Sequence, residues 1–289
     1  MFEHVPSGNI AAMAVTLAIA VLLPVIAAVF FKKKLKGSLI GILVGACTFI
    51  IFAQTLEQVL HVIIMMIFGE KLTGNVVFLA IYGGLAAALF EETGRYLAMK
   101  FAMKKRLTKE NAIMFGVGHG GCESVLVIGV TYLANIAVSV LINTDKIEGF
   151  LTTMDPETHE KLVEQLSALW TTPAAHFILA GAERILAFAL QICMSYLVYR
   201  ALKDKKIIFW FISFGIHFAV DCGLVLLASK LDLITVELIL CGTIAVIAVF
   251  TVILFRKEKA AEAENGSGPV PAAVPAKTED APSKAEEQA

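Results

Sequence analysis

The sequence lacks the short motifs that mark the commonest soluble enzymes and redox proteins. It contains no HExxH zinc motif, no G-x-S-x-G nucleophile elbow and no glycine-rich phosphate loop. No CxxC pair occurs either, and all five cysteines lie inside apolar runs: Cys47, Cys122, Cys193, Cys222 and Cys241. We therefore expect reduced cysteines that act as small core residues rather than a disulfide set.

Charge is sparse and almost balanced. Charged residues make up 17% of the chain, the net charge is −1, and no basic patch with interleaved aromatic residues occurs. This composition argues against a nucleic-acid partner. The first apolar run has no basic segment before it and no A-x-A site after it, so we expect a retained membrane span rather than a cleaved signal peptide.

Apolar residues are what the chain has in excess. They make up 58% of it, with a mean hydropathy of +0.78, against about 45–50% in soluble domains. Seven runs are long enough to span a membrane. They lie at about 9–31, 38–68, 74–101, 111–142, 174–200, 207–228 and 233–255. The sequence thus predicts an all-α, polytopic transmembrane helical bundle of about seven spans.

The basic residues between these runs predict the orientation. Alternate segments carry sixteen of them, in 32–36, 100–109, 200–206 and 256–259, whereas the intervening segments carry only Lys71, Lys146, Lys161 and Lys230. Basic loops face the cytosol, so we expect the N-terminus outside and the C-terminus in the cytosol.

The composition changes near the end of the chain. We expect a seven-helix transmembrane domain over residues 1–256, with a motif-bearing core at about 74–228. Residues 257–289 are rich in Ala, Pro, Glu and Lys and contain too few large apolar residues to bury a core, which predicts a disordered cytosolic tail.

Nine ionisable residues lie inside the later spans: Glu91, Glu92, Arg95, His119, Glu123, Glu183, Arg184, His217 and Asp221. Left unpaired near the bilayer centre, they would cost roughly 20 kcal/mol on insertion scales. These side chains must therefore face the bundle interior, where they pair with each other, bind something or meet water.

Their spacing indicates one site. Three pairs are each four residues apart and share a helix face: Glu91–Arg95, His119–Glu123 and His217–Asp221. At about 1.5 Å per residue, Glu91, His119 and His217 all lie ~12–15 Å from the predicted cytosolic ends of their spans. The three spans thus bring a glutamate and two histidines to one level, slightly to the cytosolic side of the midplane.

This set of side chains suits hydrolysis. A carboxylate can take a proton from water, and a histidine can stabilise an oxyanion or hold a metal. Two other classes of function remain open. Buried Glu, His and Asp also line proton- or cation-coupled transporters, and a non-catalytic membrane scaffold could retain the same fold.

Three motifs resemble a known superfamily. EETGR (91–95), FGVGH (115–119) and HFAVD (217–221) are similar, in order and spacing, to the three motifs of the CAAX-protease and bacteriocin-processing intramembrane proteases. HGGCE (119–123) and GAERILA (181–187) resemble the YhfC branch, described as intramembrane metalloproteases. The resemblance covers roughly residues 74–228.

The resemblance implies an intramembrane endopeptidase that opens toward the cytosol of a bacterial cytoplasmic membrane and cleaves a peptide or membrane protein. Glu91 would be the general base, held by Glu92 and Arg95, and His119 would help to bind water or a metal. His217 and position 221 would stabilise the oxyanion. The superfamily usually has Asn where this chain has Asp221, so Asp221 must be protonated, orient His217 or ligate a metal.

The cofactor stays open in the sequence. A zinc ion would take His119 and His217 with a carboxylate from Glu91, Glu123, Glu183 or Asp221, and would leave one position for water. A glutamate-type protease would need no cofactor.

Overall fold

The computed structural model describes residues 2–151 and 155–266, which are mostly helical and contain no β-strand. Within these residues, seven helices are long and apolar enough to cross a membrane. They are α1 (Ser7–Leu35), α2 (Leu39–Phe68), α3 (Val76–Phe101), α4 (Lys109–Asn143), α5 (Ala174–Lys203), α6 (Ile208–Ala228) and α7 (Leu233–Gly266). The predicted all-α bundle of seven spans is confirmed.

Polar residues fix where the helices begin and end. Asn75 and Thr108 cap α3 and α4, since their side chains accept hydrogen bonds from the backbone N–H of Phe78 and Asn111. Lys36 adopts the left-handed conformation that stops α1. Five of the six connections between these spans are short, so the spans that they join run in opposite directions, whereas residues 144–173 form a long connection between α4 and α5.

The two ends of the bundle differ. We call the end with Lys32–Lys34, Lys104–Arg106 and Lys203 the basic end, and the opposite end, with residues 144–151 and 155–173, the loop end. At the loop end, Asn9 donates to the carbonyls of Leu169 and Thr172 at 2.9 Å. Asn143 bonds both backbone groups of Val5. These contacts hold the loop end against α1.

Two helices contain π-helical turns. One occupies Phe52–Glu57 in α2, and the other occupies Ser124–Gly129 in α4, immediately after Glu123. A π-turn inserts an extra residue, and such turns are frequent at functional sites. In both helices the turn lies next to an intramembrane glutamate.

The first half of α4 is the centre of the bundle. Its residues from Ala112 to Gly121 are all buried, between α1, α2 and α5. Gly116 faces α5 so closely that a Cβ there would lie 2.6 Å from Ile192 Cα. Small residues allow membrane helices to approach in this way, which places His119 next to α3 and α5.

The chain divides into a compact unit, Met1–Val252, and a C-terminal unit, Ile253–Ala289. Helix α7 continues to Gly266, ten residues beyond 256, where the transmembrane domain is expected to end. The rest of the predicted tail, residues 267–289, lies outside the described residues. The disordered tail and the N-out orientation stay predictions.

Because α4 and α5 approach closely, adding a single methyl group at Gly116 should destabilise the protein. Gly116→Ala should lower stability by about 1–3 kcal/mol, because the new Cβ meets backbone that cannot move aside. Thermal unfolding of the purified protein in detergent measures this change. The matched control is Gly215→Ala, where a Cβ meets nothing within 4 Å, and equal midpoints for the two variants would contradict the packing described.

Candidate active site

Arg95 of α3 lies at the centre of the polar cluster, and its side chain is completely buried. Its Nη1 donates to Glu92 Oε1, and its Nη2 donates to Glu91 Oε2 at 2.9 Å. The three residues meet because positions three and four apart share a helix face. The EETGR segment therefore places its cation between its two carboxylates.

His119 of α4 joins this cluster from the neighbouring helix. Its Nε2 lies 2.9 Å from Glu91 Oε2, and the ring is fully buried. The imidazole stacks on Phe115 and meets the edge of Phe49 at a centroid distance of 5.3 Å. Its other nitrogen, Nδ1, has no hydrogen-bond partner among the described residues. The two aromatic rings hold the imidazole in place.

Glu92 is directed toward α6 instead. Its Oε1 lies 2.8 Å from His217 Nδ1, and its Oε2 accepts from Ser213 Oγ at 2.6 Å. The indole of Trp210 donates to the main-chain carbonyl of Glu92 at 3.0 Å. With Arg95 these partners occupy both oxygens of a carboxylate that is fully buried.

His217 is held between two carboxylates. Nδ1 contacts Glu92, and Nε2 lies 3.4 Å from Asp221 Oδ2 one turn further along α6. Asp221 is 35% exposed, whereas His217 is 4% exposed. In this structure the side chain at position 221 therefore contacts the histidine rather than the α3 glutamates.

Gln191 of α5 is a site residue that the sequence interpretation missed. Its Oε1 accepts from Arg95, and its Nε2 donates to Glu91 Oε2 at 3.2 Å and to Glu123 Oε2 at 2.6 Å. A lone amide in the apolar run FALQIC is the signal that could have indicated it. Gln191, Ser213 and Trp210 carry no charge, so the cost of burying charge in a membrane does not indicate them.

Glu123 belongs to a second group beside the first. Its Oε1 accepts from Arg184 at 2.8 Å, while Glu183 is 3.4 Å from the same guanidinium. Gln191 connects the two groups by its contacts with Glu91 and Glu123. The structure thus brings together the sequence-predicted residues, with Glu183 at the edge.

A small cavity lies against these side chains. Its volume is about 90 Å³, and Glu91, Glu123, Glu183, Arg184, Gln191, His217 and Asp221 supply its polar lining. Water occupies ~30 Å³ per molecule in the liquid, so the cavity has room for a few water molecules. Every hydrogen bond that the structure gives the Glu91 carboxylate falls on Oε2. Oε1 is therefore left without a partner among the described residues.

A further polar chain runs from α2 to α3 nearer the loop end. His61 Nδ1 lies 2.7 Å from the Tyr82 hydroxyl, and its Nε2 lies 3.2 Å from Glu57 Oε1. A hydrogen bond between His61 and Tyr82 thus joins α2 to α3.

Comparison with known proteins places the chain in a family. A family model described as YhfC intramembrane metalloprotease matches residues 19–254. The chain belongs to this family. A relative in Bacillus subtilis (strain 168), "Uncharacterized membrane protein YhfC", is 37% identical over 207 residues, which are 71% of this chain and 80% of the relative. No solved structure matches. This YhfC-family member is an integral, multi-pass membrane protein, and membership of the wider superfamily stays a prediction.

The YhfC family description names a metalloprotease, which implies a zinc ion. Two imidazoles with carboxylates are suitable donors, but here one nitrogen of each imidazole already faces a glutamate. His119 Nε2 contacts Glu91, and His217 Nδ1 contacts Glu92. The carboxylates of Glu123 and Glu183 face Arg184. In the part of the chain that the structure describes, no three His, Cys, Asp or Glu side chains gather as a metal requires. In this arrangement the residues do not fit a zinc ion.

The central position of Arg95 predicts a large loss of stability when its charge is removed. Arg95→Met would leave two buried glutamates without their cation, at a cost of about 3–5 kcal/mol. Thermal unfolding in detergent micelles measures the loss. Lys161→Met removes one partner of an exposed ion pair and should leave the midpoint unchanged. An Arg95→Met protein as stable as the control would contradict the pairing.

Proposed function

We propose that the protein is an intramembrane endopeptidase that hydrolyses peptide bonds with water activated by Glu91. The observation that supports this role most directly is the asymmetry of the Glu91 carboxylate. Arg95, His119 and Gln191 all contact Oε2, while Oε1 has no such partner in the described part of the chain and the residue lines the cavity. A carboxylate fixed through one oxygen presents the other to water in a defined direction.

Glu92 has a different role in this proposal. Its two oxygens are taken up by Arg95, His217 and Ser213, and its side chain is fully buried. It therefore has no free lone pair directed to the cavity, and it positions His217 instead. The adjacent glutamates divide the work, one as base and the other as a positioning group.

His217 is the group best placed to meet the developing negative charge. An imidazolium donates from both nitrogens, so Nδ1 can donate to Glu92 while Nε2 points toward Asp221 and the cavity. The Nε2 contact with Asp221 is long, at 3.4 Å, and can be redirected to a substrate oxygen. Of the three roles open to Asp221, orienting His217 is the one that this geometry supports.

The chemical steps follow from these positions. Water in the cavity attacks the carbonyl carbon of the scissile bond while Glu91 Oε1 takes one of its protons. The carbonyl oxygen becomes an oxyanion that His217 Nε2–H stabilises. When the carbon–nitrogen bond breaks, Glu91 returns the proton to the leaving nitrogen. One water is consumed, and a carboxyl and an amino terminus are formed.

The role of Glu91 is tested by an isosteric change. Glu91→Gln keeps the shape but removes the base, and general-base catalysis contributes about 10²–10⁴-fold, so cleavage should fall by that factor. The assay uses bilayer-spanning peptides in liposomes that hold the purified protein, with products identified by mass spectrometry.

The control is Glu157→Gln, which changes an exposed carboxylate of the loop end and should cleave like the wild type. Cleavage by Glu91→Gln at the wild-type rate would rule out this base.

The rival function, proton- or cation-coupled transport, has some support from the Glu57–His61–Tyr82 chain. Ion flux that Glu91→Gln abolishes, with no peptide cleavage by the wild type, would favour transport.

The paired donor atoms predict a metal-independent enzyme. Elemental analysis of the purified protein should find substoichiometric zinc, and cleavage should persist after treatment with a chelator. The Arg95 guanidinium already pairs with Glu91, one of the carboxylates that a zinc ion would take. The opposite outcome would be one zinc ion bound per chain in the wild type and none in His217→Ala. It would show that the chain is a metalloprotease, as the family description says.

A further inference from the structure

The polar side chains of the site become more exposed in one direction along the bundle. Glu92 and Arg95 are 0% exposed, Glu91 is 9% exposed and Glu123 is 16% exposed. Asp221 and Glu183 reach 35% and 36%. The cluster therefore opens on the side where Asp221 and Glu183 lie.

The positions of these residues in their helices identify that side. Glu183 is nine residues from the loop-end start of α5 at Ala174, and Asp221 is seven residues before the loop-end finish of α6 at Ala228. Arg95 is six residues before the basic-end finish of α3 at Phe101. At about 1.5 Å per residue, Glu183 and Asp221 lie ~10–14 Å below the loop end. The exposed groups are thus nearer the loop end, and the enclosed ones nearer the basic end.

The side toward the basic end is closed by packed residues. Every residue of α5 from Cys193 to Tyr199 is buried. Met99 and Met114, from α3 and α4, are 0% exposed at the same side of the site. Closely packed protein interiors contain few voids large enough for a water molecule.

The open side must be hydrated. A charged group facing hydrocarbon costs at least about 2.5 kcal/mol on insertion scales, and the part-exposed carboxylates of Glu183 and Asp221 lie there together. The two walls of the cavity differ in polarity. Glu123 and Arg184 form a polar wall on α4 and α5, while Val220, Leu224 and Leu240 form an apolar wall on α6 and α7. The same three residues border a larger apolar groove, of about 450 Å³, between α6 and α7.

From this arrangement we propose that water and substrate enter the site from the loop end. The basic segments predict that this end faces away from the cytosol, so the entrance is extracytoplasmic, opposite to the direction that the sequence suggests. The substrate part of the inference rests on the proposed peptidase function. A polar wall facing an apolar wall suits a polypeptide segment at the extracytoplasmic border of a transmembrane helix, where apolar residues give way to polar ones.

Cysteine accessibility tests the entrance without any assay of cleavage. A variant with all five native cysteines replaced by alanine receives single cysteines at Ala187, which lines the cavity, or at Ser195, which lies in the closed segment. Lys161→Cys and Lys104→Cys mark the loop end and the basic end. A membrane-impermeant thiol reagent is added to intact cells or to sealed inverted vesicles, since only a hydrated thiol reacts as its thiolate.

The expected result is that Ala187→Cys is labelled from the same side as Lys161→Cys, and that this side is the outside of intact cells. Ser195→Cys should be labelled from neither side. Labelling of Ala187→Cys from the Lys104 side, from both sides or from neither would overturn the proposal. Adding Glu91→Gln should leave the labelling unchanged, so labelling from the loop end with no peptide cleavage would refute the peptidase function alone.

Discussion

The site depends on the buried charge of Arg95, which the membrane interior cannot solvate. In lipid, the Arg95 guanidinium must find partners within the protein, and it finds them on two helices: Glu91 and Glu92 on α3, and Gln191 on α5. The two glutamates extend the connection to α4 through His119 and to α6 through His217. Pairing this single charge therefore fixes the relative positions of four helices, and the geometry of the candidate site follows from it.

Adjacent glutamates on a helix acquire different environments because successive residues point about 100° apart. Glu91 faces α4, α5 and the cavity, whereas Glu92 faces α6, where a histidine and a serine bind it. From a single turn, the EE dipeptide thus directs one carboxylate to the cavity and the other to α6. Arg95 contacts both because it lies three residues from one and four residues from the other.

Much of this arrangement could be predicted from the sequence, because the bilayer imposes simple rules. Long apolar runs are sufficient to count seven spans, and the cost of burying charge is sufficient to predict that Glu91, His119 and His217 converge. The amide of Gln191 and the hydroxyl of Ser213 escaped this reasoning, since neutral polar side chains carry a much smaller penalty in the membrane than charges do. The closer partner of Arg184 is also not its sequence neighbour Glu183 but Glu123, which lies on another helix. Contacts between helices depend on the rotation of each helix about its own axis and on its depth in the membrane. The spacing of residues within one helix does not predict either.

The π-helical turn in α4 has a consequence for the two tasks of that helix. Before the turn, the helix presents His119 and Glu123 to the polar cluster; after it, Tyr132 and Ile142 pack in a separate apolar cluster with residues of α1 and α5. The extra residue lets the second segment take its own rotation about the shared axis. The two segments therefore do not have to share one pattern of polar and apolar residues. Substitutions that change the packing of the second segment can accumulate without changing the orientation of His119.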